Sequence, residues 1–332
     1  MVLNDFHCHL YTYDSGAVMD KIITLAAAKN IIQDDIPGKT DNSDMHGLTN
    51  QQKEISVGLI LNNIREKSLW ESGTDFCLSR TSSPPGSKTE SSAAMQGYFT
   101  AIGFIGIHPW DSAKADEETI NNLEEISSKT GAFIGEFGFD KLKGADKEKQ
   151  LYLFRRCLEI ALKSEKPFTI HCVRSWGLLA EELQKAKRRI KAPFIIHAYN
   201  GSAEVVKTIT ALGGYPSFGL ERYGAFSRKA EDSILKTNLK NILFETDFTC
   251  YSKRAESGSN DGTIAPDEDN DSENSINVEY SREDNYYGKK YIKRLFAVYN
   301  AAASVLKIDL EELSGVIEEN GKIFKAYTIN RK

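Results

Sequence analysis

Cysteine is scarce in this chain of 332 residues, and its spacing is irregular: Cys8, Cys77, Cys157, Cys172 and Cys250 are the only five. An odd number without a repeated interval argues against a disulfide framework, and no CxxC pair exists to hold a structural zinc. The expectation is buried thiols in a reducing, cytoplasmic setting. Long apolar runs are also missing. The most apolar later stretch, Phe99 to Trp110, is far shorter than the roughly 20 residues that span a bilayer, and the Met1 end has no basic segment followed by an apolar run. No membrane association is expected. Charged residues make up 27% and hydrophobic ones 40%, the balance of an ordinary globular protein with ample chain for a large core.

Histidine is rare too, with six residues, yet five of them fall at the ends of strand-like runs in the company of one glutamate and one aspartate. The strings are DFHCHL (His7, His9), GIHPWD (His108), IGEFGFD (Glu136), FTIHCV (His171), FIIHAYNGS (His197) and ILFETD (Asp247). Together these are residue types that bind metal. The intervals carry more information. From His108 to Glu136 is 28 positions, from Glu136 to His171 is 35, and from His171 to His197 is 26, each close to one strand, one helix and two turns. The 50 positions from His197 to Asp247 leave room for one further strand, GGYPSFG at 213–219. Ligands at successive strand ends are what a (β/α)8 TIM barrel supplies, because its site is assembled at the C-terminal ends of its strands.

A single barrel takes roughly 250 residues, so the length points to one domain over 1–332 with insertions. Strand 1 is placed at Val2 to His9, with Asp5, His7 and His9 on one face by the period-2 rule. Helix 1 is expected from Val18 to Lys29. Residues 31–54 are polar with Pro and Gly and read as an insertion after it; Ile55 to Trp70 reads as helical, and Phe76 to Leu78 as part of strand 2. Residues 81–97 begin with the turn-rich TSSPPGSKTESS and read as a loop. Beyond Tyr98 the alternation is regular: strands at 101–107, 132–137, 167–171, 193–198, 214–219 and 242–247, then helices at Lys290 to Leu306 and Asp309 to Lys325. The segment 251–285, after strand 8, departs from it. Between Glu256 and Asn285 it holds ten acids and one base, while the formal net charge of the whole chain is −5. This reads as a flexible acidic loop on the active-site face.

The chemistry follows from the donor set. Imidazole suits zinc and related ions, whereas carboxylate suits magnesium and manganese and can bridge. Glu136 would bridge two divalent ions, with His7, His9 and Asp247 on one and His171 and His197 on the other. Such a pair can hold a hydroxide nucleophile and offset charge on the attacking and leaving oxygens of a phosphoryl displacement. Asp247 would also take a proton from the water. Each motif alone has a packing explanation, but Glu136 between two glycines does not pack well as an unpaired buried acid.

DFHCHL, GIHPWD, GEFGFD, IHCVRSW, IHAYNGS, FETD and the late EENGKIF, in this order, resemble the TatD family of metal-dependent hydrolases and deoxyribonucleases. The likeness covers the chain apart from residues 31–97 and 251–285. It implies a TIM-barrel hydrolase with a site for two divalent metal ions (Mg2+, Mn2+ or Zn2+) and DNase activity. It also implies that His108 contacts substrate and acts in catalysis beside Glu136 and Asp247, and that Arg174 and Asn200 contact substrate. The chain departs from the family pattern at Trp110, at CVRSW after the fifth strand and at FTCYSKR after Asp247. Metal binding and hydrolysis thus stand apart from the choice of DNA, and two other readings stay open: hydrolysis of a small phosphoester, lactone or amide, and a non-catalytic interaction protein.

Overall fold

The computed structural model describes residues 1–10, 56–65, 67–79, 100–221, 224–249 and 280–329. Its strands are β1 (Val2–His9), β2 (Ser56–Ile64), β3 (Thr100–Ile105), β4 (Phe133–Asp140), β5 (Phe168–Val173), β6 (Phe194–Ile196), β7 (Gly214–Phe218), β8 (Leu243–Phe244) and β9 (Phe248–Thr249). They lie in the order β8-β7-β6-β5-β4-β3-β2-β1-β9, and every pairing is parallel. The last two strands are halves of one line of chain, parted by Glu245, Thr246 and Asp247. The first half pairs with β7 and the second with β1, so this line closes the sheet into the (β/α)8 TIM barrel.

The helices are α1 (Trp70–Ser79), α2 (Glu117–Thr130), α3 (Lys147–Ser164), α4 (Trp176–Ala186), α5 (Ala203–Ala211), α6 (Arg228–Lys236), α7 (Tyr280–Leu306) and α8 (Leu310–Ile329). Local chemistry sets their ends. Asp116 and Asp146 cap α2 and α3 by accepting from the Thr119 and Lys149 amides, and Gly131 ends α2 at φ 69°. Rings from strand and helix interlock in the core, as in the stack of Phe168 on Phe194 (centroids 5.1 Å apart) and the edge contact of Phe6 with Phe324 on α8 (5.8 Å).

One stretch folds against expectation. Residues 56–64 are strand β2, not helix, and the segment around Phe76 to Leu78 belongs to α1, not to strand 2. The cause is burial. Val57 and Leu59 to Ile64 are all buried, and a parallel strand covered on both faces reads as a continuous apolar run, which periodicity does not separate from a buried helix. Strand β4 also runs on to Asp140, which places Glu136 within the strand and adds a second carboxylate to its end. Helix 1 at Val18 to Lys29, the 31–54 insertion and the 81–97 loop lie outside the described residues, as does 251–279 of the acidic segment; its remainder, from Tyr280, opens α7.

Candidate metal centre

Strand ends bring the residues together. His7 and His9 leave β1 on the same side, two residues apart, and their Nε2 atoms stand 3.2 Å from each other. Glu136 reaches across from β4 and divides its carboxylate between two groups. Its Oε2 lies 3.3 Å from His7 Nε2 and 3.4 Å from His9 Nε2. Its Oε1 lies 3.5 Å from His171 Nδ1, 3.5 Å from His197 Nε2 and 3.9 Å from His108 Nε2. Asp247 completes the first group, with Oδ1 3.8 Å from His7 Nε2 and 3.7 Å from His9 Nε2. Three sets therefore have the compactness of a metal site: His7, His9 and Asp247; His7, Glu136 and His197; His108, Glu136 and His171. His171 and His197 thus face the same carboxylate oxygen. In space the His197 ring stacks on His7 (centroids 3.7 Å apart) and lies farther from His171 (5.7 Å).

Asp247 is aimed by the break in the eighth strand line. Its φ of 47° is in the left-handed region, which a non-glycine residue adopts at a local cost, and its amide donates to the His7 carbonyl at 3.0 Å. Arg294 on α7 donates from Nε to the neighbouring Thr246 carbonyl at 2.7 Å and fixes the break from outside. Arg174 (φ 52°) and Ala198 (φ 43°) mark similar turns at the ends of β5 and β6. Arg174 and Asn200 are exposed in the loops that follow His171 and His197, on the mouth side of the barrel.

A group of residues not singled out by sequence orients the donors. His197 Nδ1 is 2.8 Å from Glu245 Oε1, which also accepts from the Ala198 amide at 2.8 Å. His9 Nδ1 lies 2.9 Å from the Asn63 carbonyl, and His7 Nδ1 lies 2.9 Å from the Asn63 side-chain amide. His171 Nε2 faces Asp140 Oδ2 at 3.5 Å. Each ring thus has one nitrogen directed at a neighbour and the other at the centre, the usual arrangement around metal-ligating imidazoles. The ETD string held a signal for Glu245, an acid two positions before Asp247; Asn63 carried none, because β2 has no alternation to read. His108 differs. Its Nδ1 accepts from the Trp110 amide at 3.2 Å, so a neutral ring carries its proton on Nε2 and presents a donor to the centre.

The electrostatics suit a cation. Burial alone would raise Glu136, but the charges of His7 and His197 outweigh it and hold the carboxyl well below its ordinary range. Burial lowers His7 and drives His108 well below the ordinary imidazole range. At His197 burial is overcome by Glu245, then Glu136 and Asp247, and the ring is pushed up to about 10. Glu136 Oε1 and both ring nitrogens of His171 are buried without a hydrogen-bond partner among the described residues. Buried polar atoms are rarely left so, and oxygen and imidazole donors left without partners around one carboxylate fit divalent ions.

The basic run Lys185 to Lys191 has no part in this. It lies at and beyond the end of α4, where the chain returns to the start of β6 at the opposite end of the barrel, and Lys185 and Arg189 are paired with Glu182 and Glu159.

Residues 4–324 match the family described as TatD related DNase. A curated relative, the uncharacterized metal-dependent hydrolase YabD of Bacillus subtilis (strain 168), is 27% identical over 165 residues, covering 48% of this chain and 63% of the relative. Among solved structures, YJJV, a TatD homolog from Escherichia coli K12, superposes with a TM-score of 0.61 at 17% identity over 97% of both chains. A TatD family hydrolase from Entamoeba histolytica gives 0.60 at 15% identity over 97% of each chain. An uncharacterized amidohydrolase from Saccharomyces cerevisiae gives 0.60 at 12% identity, over 98% of this chain and 99% of that one. These likenesses show the barrel, and the match over 4–324 carries the assignment: the chain belongs to the TatD related DNase family.

Proposed function

We propose that the protein is a divalent-metal-dependent deoxyribonuclease that hydrolyses DNA phosphodiester bonds at a two-metal site. The observation that carries this reading is Glu136, whose two oxygens face two separate histidine groups, as a bridging carboxylate's would. His7, His9 and Asp247 would hold one ion and His171 and His197 the other, with Glu136 shared. Bound divalent ions supply an acidified water and offset the negative charge that develops on the phosphoryl oxygens.

The chain's own side chains account for the rest. Glu245, Asn63 and Asp140 hold the imidazoles so that their remaining nitrogens converge. Asp247, the one member of the cluster with a substantially exposed side chain (45%), accepts the proton of the attacking water and can release it to solvent. His108, neutral and donating from Nε2, hydrogen-bonds a phosphoryl oxygen. Arg174 and Asn200, on the mouth loops, position the nucleic acid.

Single-stranded DNA should be cut only with added Mg2+, Mn2+ or Zn2+, and both Glu136→Ala and Asp247→Asn should reduce cutting by at least 100-fold, an effect on the order of those for general-base loss. Full cutting by both variants would sink the assignment. Esters or lactones hydrolysed in place of the oligonucleotide would move the activity to a small substrate.

A further inference from the structure

Beside the metal ligands, and used by none of the steps above, stands Trp110. A large aromatic side chain gains from burial, yet this one is 39% exposed at the C-terminal end of the barrel. Its ring is fixed on three sides. The indole N–H donates to Asp140 Oδ2 at 2.6 Å, the edge meets His108 at 5.0 Å between centroids, and the residue sits in the middle of a 3-10 turn, Pro109–Asp111, that is capped by His108 itself. That turn is clamped to the loop after β4. Ser112 Oγ accepts from the Ala145 amide at 2.8 Å, a Cβ on Gly144 would come within 2.0 Å of the Pro109 carbonyl, and Gln150 binds the carbonyls of Asp140, Lys143 and Ala145.

Two cations accompany the ring. The Lys143 ammonium is 4.0 Å from its centroid and the Arg65 guanidinium 5.1 Å. Arg65 is held in a two-pronged pair with Asp111, at 2.7 and 3.0 Å, whereas Lys143 is an exposed residue on a long flexible stem. A surface cation–π pair needs neither a rigid support nor a place within one ring of a catalytic histidine, and this arrangement has both. A rigid, partly open aromatic with positive charge alongside is the combination that binds an unpaired nucleotide: the base stacks on the ring and the phosphate meets the cation.

We propose that Trp110, with Lys143 and Arg65 beside it, is a stacking platform for an unpaired base next to the phosphodiester held at the metal centre. This rests on the nuclease reading above and deepens it, since it makes single-stranded or frayed ends the preferred substrate. Lys143 swings from the ring to the phosphate when the base arrives, and the Trp110–His108 contact sets the stacked base beside the reacting phosphate.

The test compares two fluorescent oligomers of equal length, oligo(dT) and its abasic counterpart, binding in EDTA to the wild type, Trp110→Leu and Trp110→Phe, each checked for folding by circular dichroism. Stacking contributes enough that Trp110→Leu should lose on the order of tenfold or more in affinity for oligo(dT), with abasic binding unchanged and Trp110→Phe close to wild type. Equal losses for both oligomers, or no loss for oligo(dT), would overturn the platform. Cleavage of oligo(dT) by the wild type with Mn2+ is measured in parallel. Cleavage with unaltered Trp110→Leu binding rejects the platform alone, whereas a wild type that neither binds nor cuts either oligomer rejects the nuclease reading and the platform with it.

Discussion

Two buried polar clusters lie two residues apart on β1, and they are built in opposite ways. Around Asp5 every carboxylate oxygen is used: Oδ1 accepts from the Thr246 and His7 amides at 3.0 and 3.2 Å, and Oδ2 from the Thr246 hydroxyl at 2.6 Å. One residue back, the Asn4 amide donates to the Tyr299 hydroxyl, which donates to the Asn4 carbonyl, both at 2.9 Å. Around Glu136 the imidazoles stand 3.3 to 3.9 Å away and Oε1 has no partner among the described residues. Burial is similar in the two places, with Asp5 fully buried and Glu136 6% exposed. The first cluster pairs both oxygens of its carboxylate within the protein and ties β1 to the break in the eighth strand line and to α7. The second leaves its donors without such partners, at a cost in desolvation that a bound cation would help to offset.

The largest expected effect on stability is at the Asp5 cluster. Asp5→Leu strands the Thr246 donors in the core and should cost about 3 kcal/mol, read as a shift of the urea midpoint. Glu136→Gln in chelator, which breaks no hydrogen bond of normal length, should cost clearly less; the reverse order would end the contrast between the two clusters.

Next comes Glu245, the carboxylate behind the His197 ring. Replacing Glu245 by Gln removes the charge that faces His197 Nδ1, and outer partners of this kind are worth roughly 10- to 100-fold in metal affinity. Competition with a chelator should therefore show weaker Mn2+ binding by Glu245→Gln at unchanged secondary structure. Unchanged affinity would mean that Glu245 serves the fold only.

The smallest effect belongs to the outer ring of helices. Hydrogen bonds from Arg155, at 2.7 and 2.9 Å, together with Lys185, overcome burial and pull Glu182 from its ordinary 4.5 down to about 2. A depressed carboxyl stabilises the folded state fully above its unfolded pKa and ceases to do so as the pH falls through its folded one. Glu182→Gln should thus cost about 1 kcal/mol at pH 7, discounted because Arg155 is half exposed, and the gap to wild type should close between pH 4.5 and pH 2. A gap independent of pH would assign the loss to packing.

The members of the candidate site were legible because each is announced locally. A short apolar strand that ends in His, Glu or Asp needs no knowledge of the rest of the chain, and the intervals of 28, 35 and 26 positions reveal the repeat. What was not legible was distant or masked by burial. Strand β2 has no alternation to read, since both its faces are covered, and losing it hid Asn63. Glu245 acts on His197 across 48 positions, and the Arg294 contact to Thr246 spans the same separation.

By itself the sequence determined the residue types at the strand ends, the parallel βα rhythm from residue 98 onward and hence the barrel. The tertiary structure alone decided which groups each imidazole faces, with His197 against His7 and His171 between Glu136 and Asp140. The physical reason is range. Strand periodicity is a property of neighbouring residues, whereas the partner of each imidazole nitrogen is set by how strands far apart in the chain converge when the barrel closes.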